Sequence, residues 1–213
     1  MEKSTDKVSN EKRSEILLAA LSLFGQKGFE RTTVNEIASK ANVGKGTVYL
    51  YFDNKDQIIL AILEGGLTKL YNLFTEVSEI PDYLQQIRAI IFNHLHFVEE
   101  HKEFYRLFIK EGYNLRFLKG EIANKTILAK HTQVHQSLRD IFKRGIDWGH
   151  LRDGDPDDYA IMMAGILNNH AFHWIMRQLD YPLTSKTDII FNILLSGIVK
   201  GYPVKTKKRI LEG

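Results

Sequence analysis

The sequence predicts an all-α protein of about nine helices. Three observations carry this. Apolar residues recur at three- and four-residue spacing along almost the whole chain. No run of alternating β-branched residues bounded by Asn-Gly or Asp-Gly turns is present. The prolines (Pro81, Pro156, Pro182 and Pro203) fall at the edges of the periodic segments, where a helix tolerates them.

The first helix is expected from Glu11 to Lys27, with Ile16, Leu17, Ala20, Leu23 and Phe24 as its apolar stripe. Gly28 stands where a left-handed stop residue belongs, and Phe29 packs back. Thr33 and Glu36 have capping-box spacing, so a second helix opens at Thr33, with Val34, Ile37, Ala38 and Ala41 inside. Asn42, Val43 and Gly44 form a turn, in which Gly44 is read as permitting the sharp bend. A third helix, Lys45 to Phe52, is too short to stand alone and must be held through Val48 and Phe52. Its other face then points outward.

A long fourth helix follows the cap residues 53–56 and reaches Val77, with Ile59, Ile62, Leu63, Leu67, Leu70 and Phe74 in its stripe. Gly65 and Gly66 in its middle mark either close packing of a neighbour or a bend. The fifth helix starts at Pro81 and runs to about His101. The sixth spans Phe104 to Glu111, and residues 113–120 read as loop. The seventh covers Ile122 to Trp148. Residues 155–158 start an eighth that lasts to Leu179, before Tyr181-Pro182, and the ninth runs from Ser185 to about Lys200. Three units are expected: 1–55, 56–203, and a tail, 204–213.

With 44 % hydrophobic and 26 % charged residues, the chain can bury a sizeable core and does not resemble a disordered one. No stretch approaches 18 uninterrupted apolar residues, and the polar N-terminus lacks a signal-peptide core, so no membrane partner is expected. There are no cysteines, which excludes disulfides, thiol catalysis and cysteine zinc sites and fits a reducing cytoplasm. The net charge of +3 says little about nucleic acid. A basic run of Lys200, Lys205, Lys207, Lys208 and Arg209 could touch phosphates, or simply be a solvated terminus.

The chemistry concentrates between Thr33 and Lys55. Two short helices with a tight turn suit a helix-turn-helix, whose second helix enters the major groove. Lys45 can reach a guanine edge or a phosphate, and Thr47 offers a hydroxyl and a methyl. Tyr49 and Tyr51 present phenols at phosphate distance, and Thr33 and Lys55 sit at helix N-termini that favour phosphates. A plain three-helix structural unit would show the same periodicity.

The specific residues go further. Ile16-Leu17-Leu18-Ala19-Ala20, Leu23-Phe24, Lys27-Gly28-Phe29, Thr32-Thr33-Val34, Ile37-Ala38, Ala41-Asn42-Val43, Gly46 to Phe52 and Asn54-Lys55-Asp56 closely resemble the N-terminal domain of the TetR family of bacterial transcriptional regulators. The resemblance covers residues 11–60; the rest matches in helical layout. It implies a homodimer, a palindromic operator and release by a small molecule. It places DNA contacts at Thr33, Asn35, Lys45, Gly46, Thr47, Tyr49, Tyr51 and Lys55. Tyr51 stands where many members have histidine, and Asn35 occupies a variable position.

The eighth helix is apolar nearly all round and the ninth carries Ile189, Ile190, Ile193, Leu194 and Ile198, so a dimer interface through both is expected. A fully buried intrachain pair is the alternative. Candidate effector-lining residues are Leu63, Leu67, Leu95, Tyr105, Phe108, His131, His135, Phe142, His170 and Trp174. The histidines read as satisfied core or surface groups, as polar points in an apolar pocket, or, through the His131/His135 spacing, as metal ligands. No HExxH motif, phosphate loop, nucleophile–base pair or carboxylate pair is found. Their absence argues against an enzyme, and the resemblance implies a cofactor-free repressor with a lipophilic effector. The alternative is an activator or chromosome-organising factor without an inducer pocket.

Overall fold

The structure, a computed structural model, describes residues 2–109 and 121–198, with side chains from 9 to 109 and from 125 to 196. Among them are nine α-helices: α1 (Glu2–Lys27), α2 (Val34–Lys40), α3 (Lys45–Tyr51), α4 (Lys55–Glu76), α5 (Tyr83–Glu100), α6 (Lys102–Leu107), α7 (Glu121–Asp147), α8 (Pro156–Met176) and α9 (Thr187–Ile198). The regular elements joining them are 3-10 turns at Val77–Glu79 and Leu183–Lys186.

α1 to α3 form a small unit around Ile16, Phe24, Ile37 and Val48, all fully buried. The rest of α1 reaches back to Glu2, well before the expected Glu11, because nothing in 2–10 breaks a helix. Gly28 ends it at φ +89°, and Phe24 and Phe29 pack ring to ring at 5.3 Å. α4 then runs from this unit into the body and packs along α7, which packs on α8. α5 lies against α9, and α6 lies against α1. The length and mean hydropathy (1.3) of Lys55–Glu79 reflect this packing. Its Ile58, Ile59, Ile62, Leu63, Leu67, Leu70 and Phe74 are core residues.

Three helix ends differ from expectation. Pro81 precedes α5 instead of opening it, and Asp82 supplies the cap, accepting from the Gln85 N–H at 2.9 Å. α8 stops at Met176, before Leu179. There Gln178 turns left-handed (φ +50°) and Leu179 N donates to Trp174 O at 3.1 Å, closing the helix upstream of Pro182. The turn after α2 uses the same device: Asn42 is left-handed at φ +53°, and Val43 N donates to Ala38 O at 3.0 Å. Gly44 is not the bend. Its φ of −68° and ψ of 149° suit any residue, and it serves as the N-cap of α3. The expected end of the sixth helix, the loop 113–120 and the tail 204–213 lie outside the described residues.

α8 buries Ala160, Met163, Leu167, Ala171, Trp174 and Ile175. Its opposite side leaves Ile161, Met162, Phe172 and Met176 about half exposed, and Ile189 and Ile193 of α9 are exposed as well.

Candidate DNA interface and effector cavity

The N-terminus of α2 is locked by a reciprocal cap. Glu36 N donates to Thr33 Oγ1 at 3.3 Å, and Thr33 N donates to a Glu36 carboxylate oxygen at 2.8 Å. Lys27 pairs with the same carboxylate, and these bonds, Lys27 first, hold the Glu36 carboxyl down at about 2. α3 is anchored by Val48 and by Phe52 at its end, both buried. The anchoring leaves Lys45, Gly46, Tyr49 and Leu50 facing out, with Thr47 and Tyr51 half-buried beside them. Thr33 and Asn35 are exposed at the start of α2. The Lys45 ammonium lies 5.9 Å from the Tyr49 ring centre.

The Lys55 side chain is taken up within the protein. Its ammonium turns inward and donates to Phe29 O (2.8 Å), Thr32 O (3.0 Å) and Glu30 O (3.2 Å), 4.2 Å from the Phe29 ring centre. A lysine has three N–H donors, and all three are used. The side chain closes the carbonyl-rich loop between α1 and α2 and leaves only the backbone at this helix start for a phosphate. Leu50 was not anticipated. At 82 % exposure it is the most exposed large apolar side chain described, and it stands on the outward face of α3. The signal was present, since Leu50 falls midway between the two anchors Val48 and Phe52. A leucine there can meet a thymine methyl.

In the body, α4, α5, α6, α7 and α8 enclose a cavity of about 60 Å³. It brings together five of the ten candidate effector residues: Leu67, Tyr105, Phe108, His131 and His135. The other five lie elsewhere, and helix geometry explains why. Leu63 is one turn before Leu67, and Leu95 is rotated off the cavity side of α5; both are fully buried in the core. Phe142 lies one turn beyond Leu138 and meets Tyr159, ring centres 5.9 Å apart. His170 is directed away from Asn168, with Nδ1 2.9 Å from Ile166 O of its own helix. Trp174 sits two turns along α8, donates to Tyr181 O at 2.8 Å, and has Lys102 above its ring. Among the described residues no three His, Asp or Glu side chains are grouped to hold a metal.

The cavity wall also contains His94, which periodicity had hidden among the polar residues of α5. His94 is 3 % exposed. Its Nε2 is 2.6 Å from Tyr105 Oη, and Tyr105 donates to Asn168 Oδ1 at 3.2 Å. Burial pushes the imidazole down to about 4. The folded state therefore holds His94 neutral, whereas the unfolded chain protonates it near 6.5. Stability from this group is complete above about pH 6.5 and is lost as pH falls through 6.5 towards 4. Urea midpoints measured from pH 7 to pH 4 should fall more steeply for the wild type than for His94→Phe. Parallel curves would contradict this.

Comparison with known proteins agrees with this architecture. The tetR-family model of bacterial regulatory proteins matches residues 16–62, and the tetracyclin repressor-like C-terminal domain matches residues 81–196. The chain is 25 % identical over 191 residues to the "Fatty acid metabolism regulator protein" of Bacillus subtilis, covering 88 % of this chain and 95 % of that one. It is 24 % identical over 198 residues to the "Probable acrEF/envCD operon repressor" of Escherichia coli, covering 92 % and 90 %. The solved structure of the regulator FadR from Bacillus subtilis in complex with stearoyl-CoA shares the fold. Its TM-score is 0.75 at 22 % identity, with 86 % and 98 % of the two chains covered. The chain belongs to the TetR family of DNA-binding transcriptional regulators.

Proposed function

We propose that the protein is a cytoplasmic homodimeric repressor that grips a palindromic operator with α2 and α3 and releases it when an acyl thioester enters the body. The outward face of α3, polar and aromatic over a buried apolar back, carries the DNA reading. The pairing surface is the exposed apolar side of α8 and α9, since six large apolar groups left uncovered on these two helices favour cover by a second copy. On this reading the unit that reads DNA ends at residue 55, where the body begins.

The ligand class rests on the cavity lining, which is apolar except for the His94–Tyr105–Asn168 cluster and the α7 histidines. Similarity to a fatty acid metabolism regulator points the same way. At about 60 Å³ the cavity is too small for a long acyl chain, so occupancy must spread α4, α6 and α7. The closed form is then the DNA-binding state, and a ligand that prefers the spread form weakens DNA binding reciprocally.

The same small volume favours a second reading, an activator or organiser of DNA without an inducer pocket. A size-resolved assay on an operator selected from a random-sequence library separates the two. Palmitoyl-CoA should weaken a complex of two chains per operator by about tenfold or more, the usual size of such coupling. Unchanged affinity would overturn release by acyl thioesters in favour of the second reading.

A further inference from the structure

His94 carries an unusual debt. It is a buried neutral imidazole with one nitrogen engaged and the other, Nδ1, without any hydrogen-bond partner. Its place in the proton order of the cluster follows from the donors available. Asn168 presents Oδ1, which only accepts, so the Tyr105 proton goes to Asn168. Tyr105 Oη then accepts from His94 Nε2–H across their 2.6 Å contact. A neutral imidazole has one proton, and it is spent there. Nδ1 is left as a bare, fully covered acceptor on a residue that lines a cavity otherwise shaped by Leu67, Leu70, Phe74, Val134 and Leu138. A buried acceptor without a donor is destabilising, because its lost hydration is not replaced.

A second hollow borders the same cluster. Tyr105, Phe108 and Asn168 are shared with an open groove of about 390 Å³ between the end of α6 and α8, bordered by Gly165, Asn169 and Phe172. The polar cluster therefore stands at the boundary between an enclosed apolar end and an open outer part.

We propose that the effector is an acyl chain bearing a hydroxyl group, and that His94 Nδ1 accepts the hydroxyl proton. This rests on the acyl-ligand reading above and adds a selectivity that a purely apolar pocket lacks. The hydroxyl is donor enough to satisfy Nδ1 once occupancy of the cavity spreads the helices and uncovers it. An unsubstituted chain leaves the acceptor unmet.

The test is calorimetric binding of palmitoyl-CoA and a set of hydroxypalmitoyl-CoA isomers, differing in hydroxyl position, to the full-length protein. One isomer should bind about tenfold more tightly than the plain chain, the ratio expected of one recovered hydrogen bond. His94→Phe should abolish that preference while still binding the plain chain. A readout without substitution is ¹⁵N NMR of the His94 ring, where the preferred isomer should move the Nδ1 signal and palmitoyl-CoA should not. Equal binding of all isomers overturns the hydroxyl proposal alone, as does a preference that survives in His94→Phe with Nδ1 unmoved. Failure of every chain to bind overturns the acyl reading and this proposal with it. A preference shifted by Nδ1–ligand contact supports both.

Discussion

Replacing Tyr49 or Lys45 by alanine should nearly abolish operator binding while leaving the fold intact. Both side chains are exposed on α3 and neither contributes to the core, so neither loss opens a cavity. Each contact to a base or phosphate is worth about 1–3 kcal/mol, and a dimer loses it twice. The expected loss is therefore about 2–6 kcal/mol per operator, or roughly 30-fold to 10⁴-fold. The salt dependence sorts the two: Lys45→Ala should flatten the slope of affinity against salt, and Tyr49→Ala should alter it less. Lys55→Met gives the contrast. Its ammonium closes the α1–α2 loop, so its loss should lower the denaturation midpoint before it affects any DNA contact. Unchanged operator binding in both alanine variants would remove α3 from the interface.

Gly66→Val should be among the most destabilising single changes in the body, while Gly65→Ala one residue earlier should be neutral or stabilising. A Cβ on Gly66 would stand 2.0 Å from Phe104 Cε2 and 2.1 Å from its Cζ. Phe104 cannot step aside, because it is buried and its ring meets Phe97 at 5.9 Å and Phe108 at 6.0 Å. Overpacking of this kind costs about 1–3 kcal/mol, and a branched side chain that must fit against the ring lies at or above the upper end. Nothing lies within 4 Å of a Cβ on Gly65, so alanine there gains about 1 kcal/mol of helix propensity without a clash. Urea denaturation of both variants decides it: equal midpoints would show that Phe104 does not restrict Gly66.

The two glycines also show how far the sequence could be read. Their cost in mid-helix was visible, but not which one packs, since that depends on Phe104 arriving from α6. Local features were legible because they are local: the Thr33–Glu36 cap, the stop at Gly28 and the buried anchors Val48 and Phe52 depend on neighbours a few residues away. The inward bonds of the Lys55 side chain were not legible because its partners lie over twenty residues upstream. His94 was missed for a similar reason. A histidine in α5 has no pattern of its own, and only the meeting of α5, α6 and α8 gives it Tyr105 and Asn168. Trp174 and His170 share helix α8 with true cavity residues, but each turn of helix moves a side chain about 5.4 Å along, enough to leave a small cavity behind.

The lysine that holds the α1–α2 loop has a mechanical consequence. By bonding three carbonyls of that loop from the first turn of α4, Lys55 makes the head of the molecule and the top of this helix one lever arm. From Gly66, where Phe104 leaves no slack, the arm to Lys55 is about 16 Å at 1.5 Å per residue. A tilt of about 10° swings its tip by roughly 3 Å, and in the proposed dimer two arms related by a two-fold axis would change the separation of the recognition helices by up to about 6 Å. That is about a sixth of the roughly 34 Å turn they must match. A displacement of about one ångström where Leu70 meets the cavity thus reaches DNA magnified several-fold, with no joint in between to absorb it.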